Sequence, residues 1–148
     1  MNLRSKTYIL LLSTTLLLLL ACQQPSDMAK ITRVIDGDTI VIEGEYHVRY
    51  IGIDTPEANE FYYSEAKQAN KRLVEGKKVK LEKDISDQDK YGRELRYVYV
   101  DDTFVNAELV RQGYAYAQAY PPDTKYQVYL EAMEIEARQA KRGIWKQK

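Results

Sequence analysis

Apolar and polar positions give this chain three textures in succession. From Tyr8 to Leu20 almost every residue is apolar. Between Ile31 and Ile53 come short runs rich in β-branched and aromatic residues, separated by acidic-glycine pairs. That is the texture of strands joined by tight turns. It predicts strands over Ile31–Ile35, Thr39–Ile42 and Tyr46–Ile53. Asp36-Gly37 and Glu43-Gly44 mark the hairpins, because glycine accepts the positive φ such turns demand. Further on, the spacing of apolar residues becomes helical. Ala66, Ala69, Leu73 and Val74 share one face of a helix predicted from an N-cap at Ser64 to Glu75, closed by Gly76. Lys78 to Lys83 alternates around Val79 and Leu81, and Arg93 to Val100 is a strand bounded by Gly92 and Asp101-Asp102. Asn106 caps a short helix ending at Gly113, with Val105 and Val110 as a staple. The last helix runs from Tyr126 to Arg142 with Tyr126, Leu130, Met133, Ala137 and Ala140 on one stripe, and Gly143 ends it. Ile144 and Trp145 then return to the core.

The predicted order is three strands, a helix, two strands and two helices. A three-strand meander, a helix and two more strands is the order of the OB-fold, a small five-stranded barrel. The fold class is therefore α+β, mainly a β barrel, with three helices. A fold proves no activity, although one face of such barrels commonly meets nucleic acid or sugar.

The first texture belongs to targeting. Arg4 and Lys6 precede the apolar run, and Leu19-Leu20-Ala21 leads into Cys22. A charged start, a short apolar core and a small residue before the cut describe a secretory signal. The run is short for a membrane span, which needs about 20 apolar residues. Leu-Leu-Ala-Cys resembles the lipobox of bacterial lipoproteins. That resemblance implies a signal peptide over residues 1–21, lipidation of Cys22, a tether over 22–28 and one domain over 29–148. The protein is then expected in the bacterial cell envelope, lipid-anchored to a membrane and facing outside the cytoplasm. Cys22 is the one cysteine, so a lipid there excludes disulfides and cysteine catalysis. Loss of Arg4 and Lys6 leaves twenty basic against twenty-two acidic residues. Net charge therefore argues mildly against a polyanion partner, and any such case rests on local arrangement. Nothing in the sequence suggests an obligate oligomer, and a monomer is expected.

Much chemistry can be struck out. His47 is the single histidine, so histidine-based zinc sites and relayed hydrolytic triads are not expected. The serines beyond the signal, Ser26, Ser64 and Ser86, lie in no nucleophile elbow, and no glycine-rich phosphate loop is present. Two acidic clusters remain: Asp36-Gly37-Asp38-Thr39 and Asp54-Thr55-Pro56-Glu57, with Arg49 between them and Arg93 at the turn Asp89-Lys90-Tyr91-Gly92-Arg93. Carboxylates can hold a hard cation or deprotonate water, and arginines can grip phosphorane charge.

These residues resemble a family. Val34-Ile35-Asp36-Gly37-Asp38-Thr39, Val48 to Glu57, Asp89 to Arg93, Val105-Asn106, Leu109 to Gly113 and Ile144-Trp145 occur in the order and strand context of the staphylococcal nuclease-like, or thermonuclease, domain. The resemblance covers Ala29 to Trp145. It implies a calcium-dependent nuclease that cuts DNA and RNA and leaves 3′-phosphate ends. It implies Asp38 and Asp54 as carboxylate ligands of Ca2+, with the backbone carbonyl of Thr55. It also implies Glu57 as general base for the attacking water, and Arg49 and Arg93 as the arginines that bind the scissile phosphate. Tyr91 and Tyr120 match tyrosines near the bound nucleotide, Tyr120 with a gap of one residue. Asp36 matches no ligand and is assigned to the turn.

Thirteen tyrosines stand against two phenylalanines. Tyr114, Tyr116 and Tyr120 could stack on bases; most of the tyrosines are expected to plug a small barrel with their hydroxyls in water. The segment between Glu57 and the following helix holds only Ala58 to Tyr63 and no lysine, where well-known relatives carry a longer, lysine-bearing loop. The rival reading is a non-catalytic OB-fold lipoprotein that binds nucleic acid or protein. It predicts loss of a catalytic position, and here each is filled.

Overall fold

The computed structural model describes residues 27–146. The predicted signal peptide, the lipidation site Cys22 and most of the tether lie outside them. The elements are β1 (Met28–Val34), β2 (Thr39–Ile42), β3 (Tyr46–Tyr50), β4 (Ile53–Asp54), α1 (Tyr63–Val74), β5 (Lys78–Glu82), β6 (Glu94–Val100), β7 (Thr103–Phe104), α2 (Val105–Arg111), β8 (Tyr116–Ala117) and α3 (Gln127–Gln139), followed by a 3₁₀ turn over Gly143–Trp145.

Five strands close on themselves. The sheet runs β3-β2-β1-β5-β6-β7, and a parallel pairing of β3 with β6 completes the barrel. Closure satisfies backbone groups that an open sheet would leave at its edges. The five-stranded OB barrel with three helices is thus the fold. Alternation decides what faces inward. In β3, Val48 and Tyr50 are buried while Arg49 points to the outer face. Ile40, Val79 and Val98 fill the interior with Val48, and α2 and α3 add Val105, Leu109 and Leu130. Burying each such side chain contributes about 1.5–3 kcal/mol.

Four local expectations are corrected. The strand predicted as Tyr46–Ile53 breaks at Gly52, whose φ is +78°. A Cβ there would lie 2.5 Å from Leu130 Cδ1, so helix packing and backbone conformation both require glycine. The break lets β4 leave the barrel and pair with β8, Ile53 opposite Ala117 and Asp54 opposite Tyr116. Ser64 is not the cap of α1. The chain enters that helix through Tyr62 in the left-handed region, with no side-chain cap; Tyr62 instead packs with Ala137, Ile144 and Trp145.

Asn106 is not a cap either. It lies inside α2, fully buried. Its Oδ1 accepts from the Val98 N–H at 3.0 Å and its Nδ2 donates to the Ile51 carbonyl at 2.8 Å. Buried amides demand such partners, and here they fasten α2 across the barrel. α3 also stops at Gln139, short of Arg142, because Lys141 turns left-handed. Ile144 and Trp145 are buried, as the apolar end of the chain predicted.

Candidate active site

The turn before β2 is built by its own acids. Asp36 Oδ1 accepts from the Asp38 N–H at 3.1 Å, the local bond that makes aspartate a turn former. Gly37 lies so close to Thr55 that a Cβ would stand 2.7 Å from Thr55 Cγ2. From α1, buried Asn70 donates to the Asp36 carbonyl at 3.0 Å and accepts from the Tyr50 hydroxyl at 2.9 Å. Burial, reinforced by the charge of Asp38, raises the Asp36 carboxyl above its ordinary value. This is a turn residue, as its sequence position indicated.

Asp38 is buried and saturated with donors. Its Oδ2 accepts from the Thr55 backbone N–H at 2.9 Å and the Thr55 hydroxyl at 2.8 Å, and Thr39 donates to Oδ1 at 3.2 Å. Register explains the next partner. Thr39 stands opposite Arg49 across the β2–β3 pair, which brings the Arg49 guanidinium to the mouth of the turn. Arg49 Nη1 contacts Asp38 as an ion pair without hydrogen-bond alignment, and Nη2 donates to Asp54 Oδ1 at 2.8 Å. One guanidinium therefore joins both carboxylates. Burial works to lower the Arg49 pKa, but the charges of Asp38 and Asp54 outweigh it and raise it. Burial raises Asp54, as does Asp38, against the opposing pull of Arg49.

The parallel pair that closes the barrel brings in the second arginine. Arg49 stands opposite Leu95, so the turn preceding β6 lies beside the Arg49 end of β3. Asp89 organises that turn. Its Oδ1 accepts from the N–H groups of Tyr91 and Arg93 at 2.9 and 3.0 Å, and its Oδ2 accepts from Arg93 Nε at 2.7 Å. The Arg93 guanidinium also lies over the Tyr91 ring, 5.5 Å from its centroid, a cation–π distance.

Arg49, Arg93, Tyr91, Tyr120 and Asp123 line one cleft of about 390 Å³. Tyr91 and Tyr120 are exposed on its walls. Burial and the nearby Asp54 charge raise the Tyr120 phenol, against Arg49. Asp123 is buried, and its Oδ1 accepts from the Ile85 and Ser86 N–H groups at 3.0 and 2.7 Å. It ties the loop after β5 to the segment carrying Tyr120.

Asp38, Asp54, Thr55 and Glu57 are not among the residues lining the cleft. The two aspartates are joined to it through Arg49 and Thr55 through Asp38, whereas Glu57 is exposed and makes no bond to that group. Its backbone N–H donates to Glu60 Oε2 at 2.8 Å, and its carbonyl accepts from the Glu60 N–H at 2.8 Å. The short segment is thus tied in a tight turn by Glu60, then anchored by Tyr62, which stacks on Tyr114. Tyr116 likewise meets Trp145 edge-on, so these two tyrosines pack rather than offer open faces. Asp89, Asn70 and Asp123 carried roles that sequence reasoning left unassigned. Only Asp89 had a local signal, an aspartate three residues before the glycine of a turn.

Asp38 and Asp54 have hard oxygen donors that converge on a single cationic group, which fits a small hard cation. Among the described residues no group of three His, Cys, Asp or Glu side chains converges. The remaining ligands of an ion there would be carbonyl, water or phosphate oxygens.

The family profile described as staphylococcal nuclease homologue matches residues 47–147. A thermonuclease of Staphylococcus intermedius is 39% identical over 124 residues, which cover 78% of this chain and 74% of the relative. A thermonuclease of Staphylococcus hyicus is 38% identical over 125 residues, with the same coverage. Endonuclease YncB of Bacillus subtilis is 43% identical over 124 residues, covering 76% of this chain and 59% of the relative.

Proposed function

Because this chain belongs to the staphylococcal nuclease homologue family, we propose that it is a calcium-dependent nuclease that hydrolyses DNA and RNA to 3′-phosphate ends. The observation that carries this reading is the cleft in which Arg49, joined to Asp38 and Asp54, meets Arg93, Tyr91 and Tyr120.

Asp38, Asp54 and the Thr55 carbonyl would hold Ca2+. When bound, such an ion supplies polarisation of a phosphate oxygen and a template for orienting the ester. Arg49 and Arg93 grip the remaining phosphate oxygens. A planar guanidinium makes bidentate bonds to phosphate and stays charged throughout, and lysine does neither as well. Thr55 and Thr39 hold Asp38 in place, and Asp89 aims Arg93. Tyr91 and Tyr120 flank the nucleotide. Glu57 takes a proton from water as the water oxygen bonds to phosphorus. The bond from phosphorus to the 5′ oxygen breaks, the 5′ oxygen leaves with a proton from solvent, and the phosphate stays on the 3′ side.

In this reading residues 1–21 direct export and Cys22 carries lipid, which places the enzyme in the bacterial cell envelope, outside the cytoplasm. Every residue assigned comes from one chain, so no second subunit is called for.

The test is hydrolysis of single-stranded DNA by the purified chain with calcium and with chelator. Calcium-dependent cleavage leaving 3′-phosphate ends is expected. A folded protein that binds oligonucleotide without cutting it would overturn the reading in favour of a binding module.

A further inference from the structure

Outside the cleft, a row of side chains crosses the outer face of the barrel from its first strand to its last helix. Lys80 on β5 is the register partner of both Met28 on β1 and Tyr99 on β6. Tyr99 stands opposite Phe104 on β7, and their rings stack with centroids 4.7 Å apart at 15°. Tyr129 of α3 stacks on the Phe104 ring at 6.3 Å and 11°. The row ends in the open: Met28 is 48% exposed, Tyr129 50% and neighbouring Val128 81%. None of these residues lines the cleft.

The chain enters the fold at this row. The Asp27 carbonyl accepts from the Leu81 N–H at 2.7 Å, beside Lys80. Cys22 precedes Met28 by a segment that extends, at about 3.3–3.6 Å per residue, to roughly 20 Å. A lipid on Cys22 would hold a bilayer within that distance of the aromatic row.

We propose that this row is the face on which the domain rests against the membrane, with Tyr129, Val128 and Met28 entering the headgroup region. The proposal rests on lipidation of Cys22. Aromatic residues with a polar tip suit the membrane–water interface, where one end is apolar and the other wet. Lys30 and Lys78 stand opposite each other across β1 and β5, and among the described residues neither forms an ion pair. Like charges so placed destabilise a sheet, and lipid phosphates offset them. Asp101 and Asp102, exposed in the turn between β6 and β7, moderate the charge of this face, so aromatic burial carries most of the contact. A tether of this length supplies a high effective concentration, and a weak contact is enough.

Single-stranded nucleic acid is the rival occupant, and the ring geometry disfavours it. A base platform needs open ring faces. Phe104 is packed by Tyr99 and Tyr129, and Tyr99 also carries Lys80, whose Nζ lies 5.9 Å from the ring centroid. Tyr99 and Phe104 are thus engaged by neighbouring side chains, and Tyr129 as a single exposed ring is a short platform for successive bases.

The experiment is amide hydrogen exchange on the chain purified from bacterial membranes and bound to phosphatidylcholine–phosphatidylglycerol vesicles. Its control is the doubly substituted chain Val128→Ser, Tyr129→Ser, whose changes lie at exposed positions. Vesicles should slow exchange severalfold in residues 103–104 and 126–130 of the native chain, and not in the substituted one. The turn 89–93 should exchange alike in both. Unchanged exchange in a vesicle-bound chain overturns the proposal. So does equal protection by oligothymidylate without vesicles, or by raised protein concentration, which would assign the face to nucleic acid or to a second copy. The mass of the purified chain reports acylation separately. If Cys22 carries no lipid, the same measurement on chain coupled through that thiol to a maleimide lipid still decides whether the face docks.

Discussion

Arg49 donates to Asp54 Oδ1 at 2.8 Å while its other terminal nitrogen rests on Asp38. The arginine that the family pattern assigns to phosphate is thus engaged by the two carboxylates assigned to the cation. In the chain alone, the guanidinium supplies the positive charge that these acids need. Side chains of Arg49 and Asp38 are only 13% and 7% exposed, so solvent cannot replace it.

Arg49→Met should therefore destabilise the chain by about 2–4 kcal/mol in chelator. Breaking a buried pair costs roughly 3–5 kcal/mol, and the 44% exposure of the Asp54 side chain reduces that. Calcium should recover more stability in the variant than in the native chain. Thermal unfolding with and without calcium reads both effects. Equal calcium shifts in the two proteins would show that Arg49 does not compete with the cation for these acids, and no shift in either would show that the acids do not form a cation site.

Glu57→Gln should lower turnover of single-stranded DNA by about 10²-fold or more, the range of a placed carboxylate base. Arg93→Lys should lower it by at least about tenfold, because an ammonium cannot reproduce the fork. Neither residue is buried in the core, so unfolding midpoints should hold. Steady-state rates near native would remove these two residues from the mechanism.

Asp89 makes a pH prediction. Burial raises its carboxyl, but the bonds from Arg93 and from the backbone N–H groups of Arg93 and Tyr91 outweigh that and lower it below the ordinary 3.8. A folded-state value below the unfolded one means stability present above the unfolded value and lost as pH falls through the folded one. Asp89→Asn keeps an oxygen for the turn and removes the charge. It should cost about 0.5–1 kcal/mol at neutral pH, as expected for a partly exposed pair. The gap from the native chain should close in acid below that range. Denaturant titrations across the acid range check it; a gap that persists would assign the effect to packing.

Asn106→Leu should cost about 2–5 kcal/mol, since the buried Val98 N–H and Ile51 carbonyl lose their partner and each orphaned group costs about 1–3 kcal/mol. A lower denaturant midpoint with unchanged slope is the expected signature. A loss below 1 kcal/mol, or about that, would mean water enters and satisfies both groups.

What the chain determined on its own was local in origin. Strand alternation, glycine turns and helical stripes are read within a few residues, so the meander, the five-strand order and the three helices were legible before any fold. The acids and arginines were equally legible, as short motifs in a known order. Tertiary structure decided how they meet. The break at Gly52 is dictated by Leu130, the Asn106 bonds by strands far away in sequence, and the meeting of Arg49 with Arg93 by a parallel pair that exists only when the barrel closes. Nor could the motifs say that Arg49 would join Asp38 and Asp54, or that Glu57 would stand outside the cleft. Both follow from which groups lie within hydrogen-bond reach after closure, and reach is a property of the folded chain.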